Sequence, residues 1–216
     1  MSKKSFFKTA LMAACLSAAG ASQAAVQVYT DSASFLAAVT AAATDTFDNL
    51  TAGTQYASPM TRSAGTYGYT ASVTRSDGSA DTFYPAGGGG DSWLSPNVVD
   101  DTISFTGFTS PIYAIGGLFF GTNFAGAFAA GLSLDVTISD GTTTTTSSVV
   151  NGTTSSFLGF VSSTAIVSMS VTEQASASPT WPTINNLVVA VPEPQTYALM
   201  LAGLAMVGAS VRRRAG

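Results

Sequence analysis

Histidine is absent from this chain of 216 residues, and cysteine occurs once, at Cys15. Without imidazoles or a second thiol, the chain lacks the ligands of Cys/His zinc sites and the attachment motif of c-type haem. Intramolecular disulfides and nucleophilic mechanisms that need a histidine base are excluded for the same reason. Any chemistry must therefore rely on carboxylates, hydroxyls and amides.

Charged residues are scarce, at 9% of the chain against about a quarter in typical proteins. Six of the eight basic residues lie at the two ends, which leaves Arg62 and Arg75 between them. All twelve acidic residues lie between positions 31 and 193, so this middle part carries two positive and twelve negative charges, a net −10. Such a surface repels nucleic acid, and we expect no nucleic-acid partner. The carboxylates could simply keep a β-protein soluble. The alternatives are that they hold divalent cations or face a neutral polysaccharide.

The N-terminal segment 1–24 has three lysines, then an apolar stretch, and ends in small residues. This pattern predicts a signal peptide for Sec export, cut by signal peptidase between Ala24 and Ala25. Its apolar stretch is too short for a membrane-spanning helix. A lipoprotein signal ending at Cys15 is the competing interpretation, but Met12 fits such a signal poorly.

The C-terminal segment 191–216 has three elements in a fixed order. Val191-Pro192-Glu193-Pro194 is followed by the uncharged segment 195–211, and then by three arginines. As a helix, 195–211 would be about 25 Å long, close to the lower limit for a hydrocarbon core of about 30 Å. Arginines beside a membrane segment stay cytoplasmic. The preceding domain would then lie outside the cell, in agreement with the signal peptide.

This order resembles the PEP-CTERM sorting signal of Gram-negative bacteria, a motif also known as an ice-binding protein C-terminal domain; an ordinary tail anchor is the alternative. The resemblance implies an exosortase as partner, a membrane-embedded cysteine transpeptidase that cleaves near the motif. It also implies that the chain is inserted in the cytoplasmic membrane before it reaches the surface. In this chain the recognition motif would be Val191, Pro192, Glu193 and Pro194, the membrane helix 195–211, and the membrane stop Arg212, Arg213 and Arg214.

The middle segment, 25–190, predicts a mainly β domain. Asp31 or Ser32 can cap one short helix near its start, with an apolar face formed by Phe35, Leu36, Ala38, Val39 and Ala42. Later segments alternate apolar and polar residues and are separated by turn residues, including the hairpin signal Asp140-Gly141. These segments are 46–50, 67–73, 102–108, 132–138, 142–146, 157–160, 165–171 and 184–190. The pattern favours an antiparallel β-sandwich, jelly-roll-like in preference to immunoglobulin-like.

The segment 79–96 interrupts this pattern with a run of four glycines, 87–90, flanked by aromatic residues. Aromatic faces on a loop can stack on sugar rings, so Phe83, Tyr84 and Trp93 are candidate ligand-binding residues. The alternative is that Trp93 fills one end of the core. The glycine run lacks the lysine and the following helix of a phosphate loop.

The domain also resembles, more loosely, the sandwich domains common in PEP-CTERM proteins. The matching pieces are Phe47-Asp48-Asn49-Leu50, Phe157-Leu158-Gly159-Phe160 and Ile184-Asn185-Asn186-Leu187. If the first and last strands pair, Asp48 and Asn185 would meet and are weak candidates for a structural calcium. Asn185 replaces the acid usual at its position, which counts against that site. We expect no other cofactor.

Catalysis by two carboxylates needs no histidine or thiol, as in glycoside hydrolysis. The candidate acids are Asp45, Asp48, Asp81, Asp91, Asp100, Asp101 and Glu173. Nothing distinguishes them from turn or solubilising residues, and Asp100 and Asp101 would point to opposite faces of a strand. We therefore expect a non-enzymatic structural or adhesive protein of the cell surface or extracellular matrix, associated with exopolysaccharide. A lectin-like module is the alternative, and a carboxylate-based glycan-active enzyme is the third possibility.

Overall fold

The computed structural model describes residues 26–174 and 179–192. These residues form fourteen β-strands and one α-helix, so the predicted mainly β class is confirmed. The elements are β1 (Val26–Tyr29), α1 (Ser32–Ala37), β2 (Val39–Asp45), β3 (Met60–Ala64), β4 (Tyr67–Thr74), β5 (Ala86–Gly88), β6 (Asp91–Trp93), β7 (Thr102–Thr106), β8 (Ile112–Thr122), β9 (Phe128–Ala129), β10 (Leu134–Ser139), β11 (Thr144–Val149), β12 (Phe157–Ile166), β13 (Ser168–Glu173) and β14 (Trp181–Pro192).

Two six-stranded antiparallel sheets make up most of the domain. The first has the order β1-β12-β8-β14-β2, with β9 paired to β8, and the second has the order β11-β10-β13-β7-β4-β3. Strands β5 and β6 form a separate hairpin. Several neighbours in the sheets are far apart in sequence, and their order therefore brings distant segments together.

The two sheets share one hydrophobic core. In the second sheet, alternate residues point inward, as in β10, where Leu134, Val136 and Ile138 are buried. In the first sheet, β8 is buried along most of its length. Helix α1 covers part of the outer face of this sheet, where Phe35 packs in a smaller cluster with Phe157. Because β8 is covered on both faces, its sequence is a nearly continuous apolar run.

The predicted helix is present but shorter than its apolar spacing indicates. Asp31 is the N-cap, and its carboxylate accepts a hydrogen bond from the backbone N–H of Ser34 at 2.8 Å. The prediction that the helical face continues through Val39 to Ala42 is wrong, because β2 begins at Val39. Pairing with β14 gives this segment a backbone ladder, and this tertiary pairing outweighs the helical spacing.

Most predicted strands are confirmed, including 67–73 in β4, 157–160 in β12 and 184–190 in β14. The hairpin turn at Asp140-Gly141 is also confirmed, since the Asp140 carboxylate accepts the backbone N–H groups of Thr142 and Thr143. The prediction of a strand over 46–50 is wrong. Phe47 has a φ of 63°, and its carbonyl accepts the N–H of Leu50, so the chain turns here.

The predicted signal peptide (1–24), the predicted membrane helix (195–211) and the arginine cluster lie outside the described residues. Within 26–174 and 179–192, no helix has the length and apolar character needed to cross a membrane.

Candidate functional site

The segment 79–96 is held against the core by backbone bridges. Phe83 bridges to Tyr56 and to Pro96, and Leu94 bridges to Ile184 in β14. The four glycines lie in the β5–β6 hairpin, where Gly87, Gly89 and Gly90 have positive φ. This glycine-rich segment is thus an ordered arm of the β-domain.

The three aromatic residues predicted to bind ligand lie in different environments. Phe83 is fully buried in the main core and presents no face to solvent. Trp93 is half-buried and packs edge-on against Phe120, with ring centroids 5.0 Å apart, which agrees with the packing alternative for this residue. Tyr84 is 44% exposed. Of the three, Tyr84 lies beside a cavity.

That cavity is a groove of about 540 Å³, within the range of about 300–1,000 Å³ typical of small-ligand sites. We call it the aromatic groove. Three aromatic side chains line it: Tyr84, Phe124 and Trp181. The remaining lining residues are small or uncharged: Ala52, Gly53, Pro85, Ala86, Gly87, Ser95, Pro96, Asn97, Thr122, Asn123, Ala125 and Gly126. Among the described residues, no Asp, Glu, Lys or Arg lines the groove.

Trp181 is fixed at the start of β14. Its backbone pairs with Thr122 at the end of β8, and its indole N–H donates to the carbonyl of Asn97 at 3.1 Å. The ring therefore links the first sheet to Asn97, directly after the segment 79–96 that carries Tyr84. Because the indole is a donor only, this bond orients the ring and leaves its faces for packing.

Phe124 lies on the turn that follows β8 and is 90% exposed. The Asn123 side-chain oxygen accepts the N–H groups of Ala125 and Ala127 at 2.9 and 3.1 Å, which holds the turn. Gly126 has a φ of 75° and donates to the Asn123 carbonyl at 2.8 Å. A rigid turn thus presents a large apolar ring to water at the edge of the groove.

Sequence patterns did not single out Phe124 or Trp181. A signal was present, because Asn123-Phe124-Ala125-Gly126 places an aromatic residue within a turn-forming tetrapeptide. The sequence around Trp181 carries no such signal, because its place in the groove with Tyr84 depends on the order of the strands in the sheet.

Asp48 and Asn185 both reach strand β6, but they bond to different residues. Asp48 accepts the backbone N–H of Ser92 at 3.2 Å, and the Asn185 amide donates to the Asp91 carboxylate at 2.9 Å. In the described parts of the chain, no cluster of three or more His, Cys, Asp or Glu residues could hold a metal ion. The structural calcium stays a prediction.

Two buried acids, Asp81 and Asp101, precede β7, and the half-buried Glu173 lies at the end of β13. Asp101 is fully buried, and neither of its carboxylate oxygens has a hydrogen-bond partner among the described residues. Burial, together with the charge of Asp81, raises the pKa of Asp101 to about 6. Burial and the charge of Asp100 raise the pKa of Glu173 to about 7. Asp100 itself is exposed and Asp101 is buried, but both precede β7, so the prediction for adjacent residues on a strand does not apply to them.

A different buried acid, Asp45 at the end of β2, is fully satisfied. Its two oxygens accept Arg62 Nε and Nη2 at 2.7 and 2.6 Å, the Tyr69 hydroxyl at 2.6 Å and the Phe47 N–H at 3.0 Å. The Arg62 guanidinium lies 4.9 Å from the centroid of the Phe47 ring. Burial and the Asp45 charge raise the pKa of Tyr69. All of these groups bond to one another, which indicates a structural role.

The comparisons with known proteins concern the C-terminal end. A family model described as the PEP-CTERM protein-sorting motif matches residues 190–214. No curated protein and no solved structure matches the chain. The motif confirms the resemblance drawn from Val191-Pro192-Glu193-Pro194 and indicates export, sorting to the cell surface and an exosortase as processing partner. Strand β14 ends at Pro192, so the first residues of the motif belong to the folded sheet.

Proposed function

We propose that this chain is an exported cell-surface or extracellular-matrix protein whose β-domain has a structural or adhesive role. The observation that carries the proposal is the sorting motif at 190–214. Sec export with cleavage between Ala24 and Ala25, and transient insertion through 195–211, complete the proposed route. An acidic domain without histidine, with one core shared between two sheets, is consistent with a jelly-roll-like sandwich exposed outside the cell.

The domain is proposed to be non-enzymatic. A carboxylate-based glycan-active enzyme would need two acids facing a cleft. Asp81 and Asp101 do converge, but Asp101 is fully buried and neither residue lines the aromatic groove. Their position therefore favours an adhesive or structural role over catalysis.

Mass spectrometry of the mature protein tests the sorting proposal. In cells with an active exosortase, we expect a new N-terminus at Ala25 and loss of the C-terminal arginines. The matched control replaces Glu193 with Ala in the motif, and this variant should keep its C-terminus and stay with the membrane fraction. A wild-type chain that remains intact through Gly216 would refute processing.

Carbohydrate binding is the second candidate function, and the aromatic groove is the observation that favours it. Rigid aromatic faces with uncharged polar neighbours are suited to sugar rings, which have both apolar faces and hydroxyl edges. Cosedimentation of the full-length chain with exopolysaccharide from the producing cells tests this candidate, and no cosedimentation would count against it.

A further inference from the structure

We infer that the aromatic groove binds an uncharged glycan chain, with Tyr84 and Trp181 as stacking faces and Phe124 as an apolar edge. The inference rests on the proposed carbohydrate-binding function and adds both the site and the ligand class. It follows from the charge, the rigidity and the polar groups of the groove.

The charge of the groove excludes acidic sugars as favoured ligands. An acidic glycan needs Lys or Arg to pair with its carboxylates or sulfates, and neither is present among the groove residues of the described ranges 26–174 and 179–192. The two arginines of the domain are already engaged, Arg62 with Asp45 and Arg75 with Asp81. The domain around the groove is strongly acidic, so a polyanion would be repelled.

The rigidity of the groove favours binding, because little order must be imposed when the ligand arrives. Trp181 is held by its bond to Asn97, and the Phe124 turn is held by Asn123. Phe124 adds nothing to the core of the domain, since almost all of its surface is in water. A sugar face that covers this ring would remove apolar area from water on both partners.

Polar groups for sugar hydroxyls are also present. The Asn123 side chain uses its oxygen to hold the turn, which leaves its amide N–H groups available as donors. The Asn97 side chain is exposed, and within the part of the chain that the structure describes only the backbone groups of Asn97 form hydrogen bonds. Both amides line the groove and are uncharged, as the proposed ligand requires.

Isothermal titration of the full-length chain in mild detergent tests the inference. The probes are three neutral polysaccharides, laminarin, dextran and galactomannan, with the polyuronate alginate as the charged comparison. The variants are Tyr84→Ala, Phe124→Ala and Trp181→Phe, and Val150→Ala is the matched control because it removes an exposed apolar side chain that does not line the groove. Thermal melts verify that each variant folds.

We expect at least one neutral polysaccharide to bind, with alginate weaker. Loss of one stacking ring should lower affinity by about three- to ten-fold, whereas Val150→Ala should bind like the wild type. Four results would overturn the inference: no binding to any neutral probe, tighter binding to alginate, unchanged affinity in the ring variants, or a wild-type dimer in light scattering that Phe124→Ala abolishes. If wild type and ring variants cosediment equally with the cells' exopolysaccharide, carbohydrate binding stands and only this site is wrong.

Discussion

Asp45 and Asp101 are both buried aspartates, but their hydrogen-bond partners differ. Asp45 has four hydrogen-bond donors around it, including both arms of the Arg62 guanidinium. Among the described residues Asp101 has none, and the charge that acts on it most strongly is that of another acid, Asp81. A buried carboxylate is tolerated as an ion only when its charge is compensated. The negative charge of Asp45 is therefore compensated by Arg62, whereas Asp101 has no such compensation and its pKa is raised.

Arg75 explains which of the two paired acids keeps a proton. It donates to Asp81 at 2.9 Å, and although burial opposes ionisation, the net pKa of Asp81 is lowered. The neighbouring Asp101 then feels both its own burial and an adjacent negative charge, and its pKa rises. Of the two carboxyls, Asp101 is therefore the one that is protonated first as pH falls.

The largest expected effect comes from removing the partner of Asp45. Arg62→Met leaves a buried carboxylate without its cation and should lower the free energy of unfolding by about 3–5 kcal/mol. Urea denaturation of the full-length chain measures it. The matched control is Arg75→Met, whose side chain is 48% exposed against 6% for Arg62, and which should cost only about 1 kcal/mol. Equal losses would remove the distinction between the two sites.

A smaller effect is expected from pH. The pKa of Asp101 rises from 3.8 to about 6, and that of Glu173 from 4.5 to about 7. At pH values between the ordinary and the raised pKa of each group, the folded chain binds more protons than the unfolded chain. The stability of the fold is therefore highest at the acidic end of this range and falls as pH rises. We expect a loss of about 2–3 kcal/mol between pH 4.5 and pH 7.5, measured by urea denaturation. Stability that rises over this interval would show that these acids are not buried as described.

The smallest expected change in stability comes from replacing a single side chain, that of Asp101. Asp101→Asn removes the proton requirement at nearly constant shape, so it should stabilise the chain by about 1–2 kcal/mol at pH 7.5 and change little at pH 4.5. The same denaturation series measures it. Asp77→Asn is the control, because Asp77 lies in an exposed turn, and it should leave the pH slope intact. An Asp101→Asn variant with the wild-type slope would assign the pH effect elsewhere.

Local signals predicted much of this fold. Alternation identified β4, β10 and β14, an N-cap residue identified the start of α1, and residue order identified the sorting motif. Each of these depends on residues close together in sequence. The failures at Phe47 and Val39 have different causes. The Phe47 N–H bonds to the Asp45 side chain in a turn, whereas at Val39 pairing with β14 overrides the helical spacing.

The candidate site was harder to predict because its parts are distant in sequence. Tyr84, Phe124 and Trp181 line one groove, but only sheet order brings them together. Asp45 and Arg62 are likewise joined by the fold, and Asp45 itself lies opposite Leu187. A sequence pattern identifies which residues could stack or ionise, whereas strand pairing decides which of them meet.

Strand β14 leads directly into the sorting motif, with Val191 opposite Thr40 and Pro192 opposite Val39. If the membrane helix begins at 195 as predicted, three Cα–Cα steps separate it from the end of β14, a span of at most about 11 Å. Adding a four-residue Gly-Ser spacer after Ala190 should then speed processing, and an unchanged rate of C-terminal loss would mean that the short tether is no hindrance. Before cleavage, a tether of this length would hold the β-domain against the outer surface of the bilayer. Cleavage would free the domain to diffuse away or to be attached elsewhere.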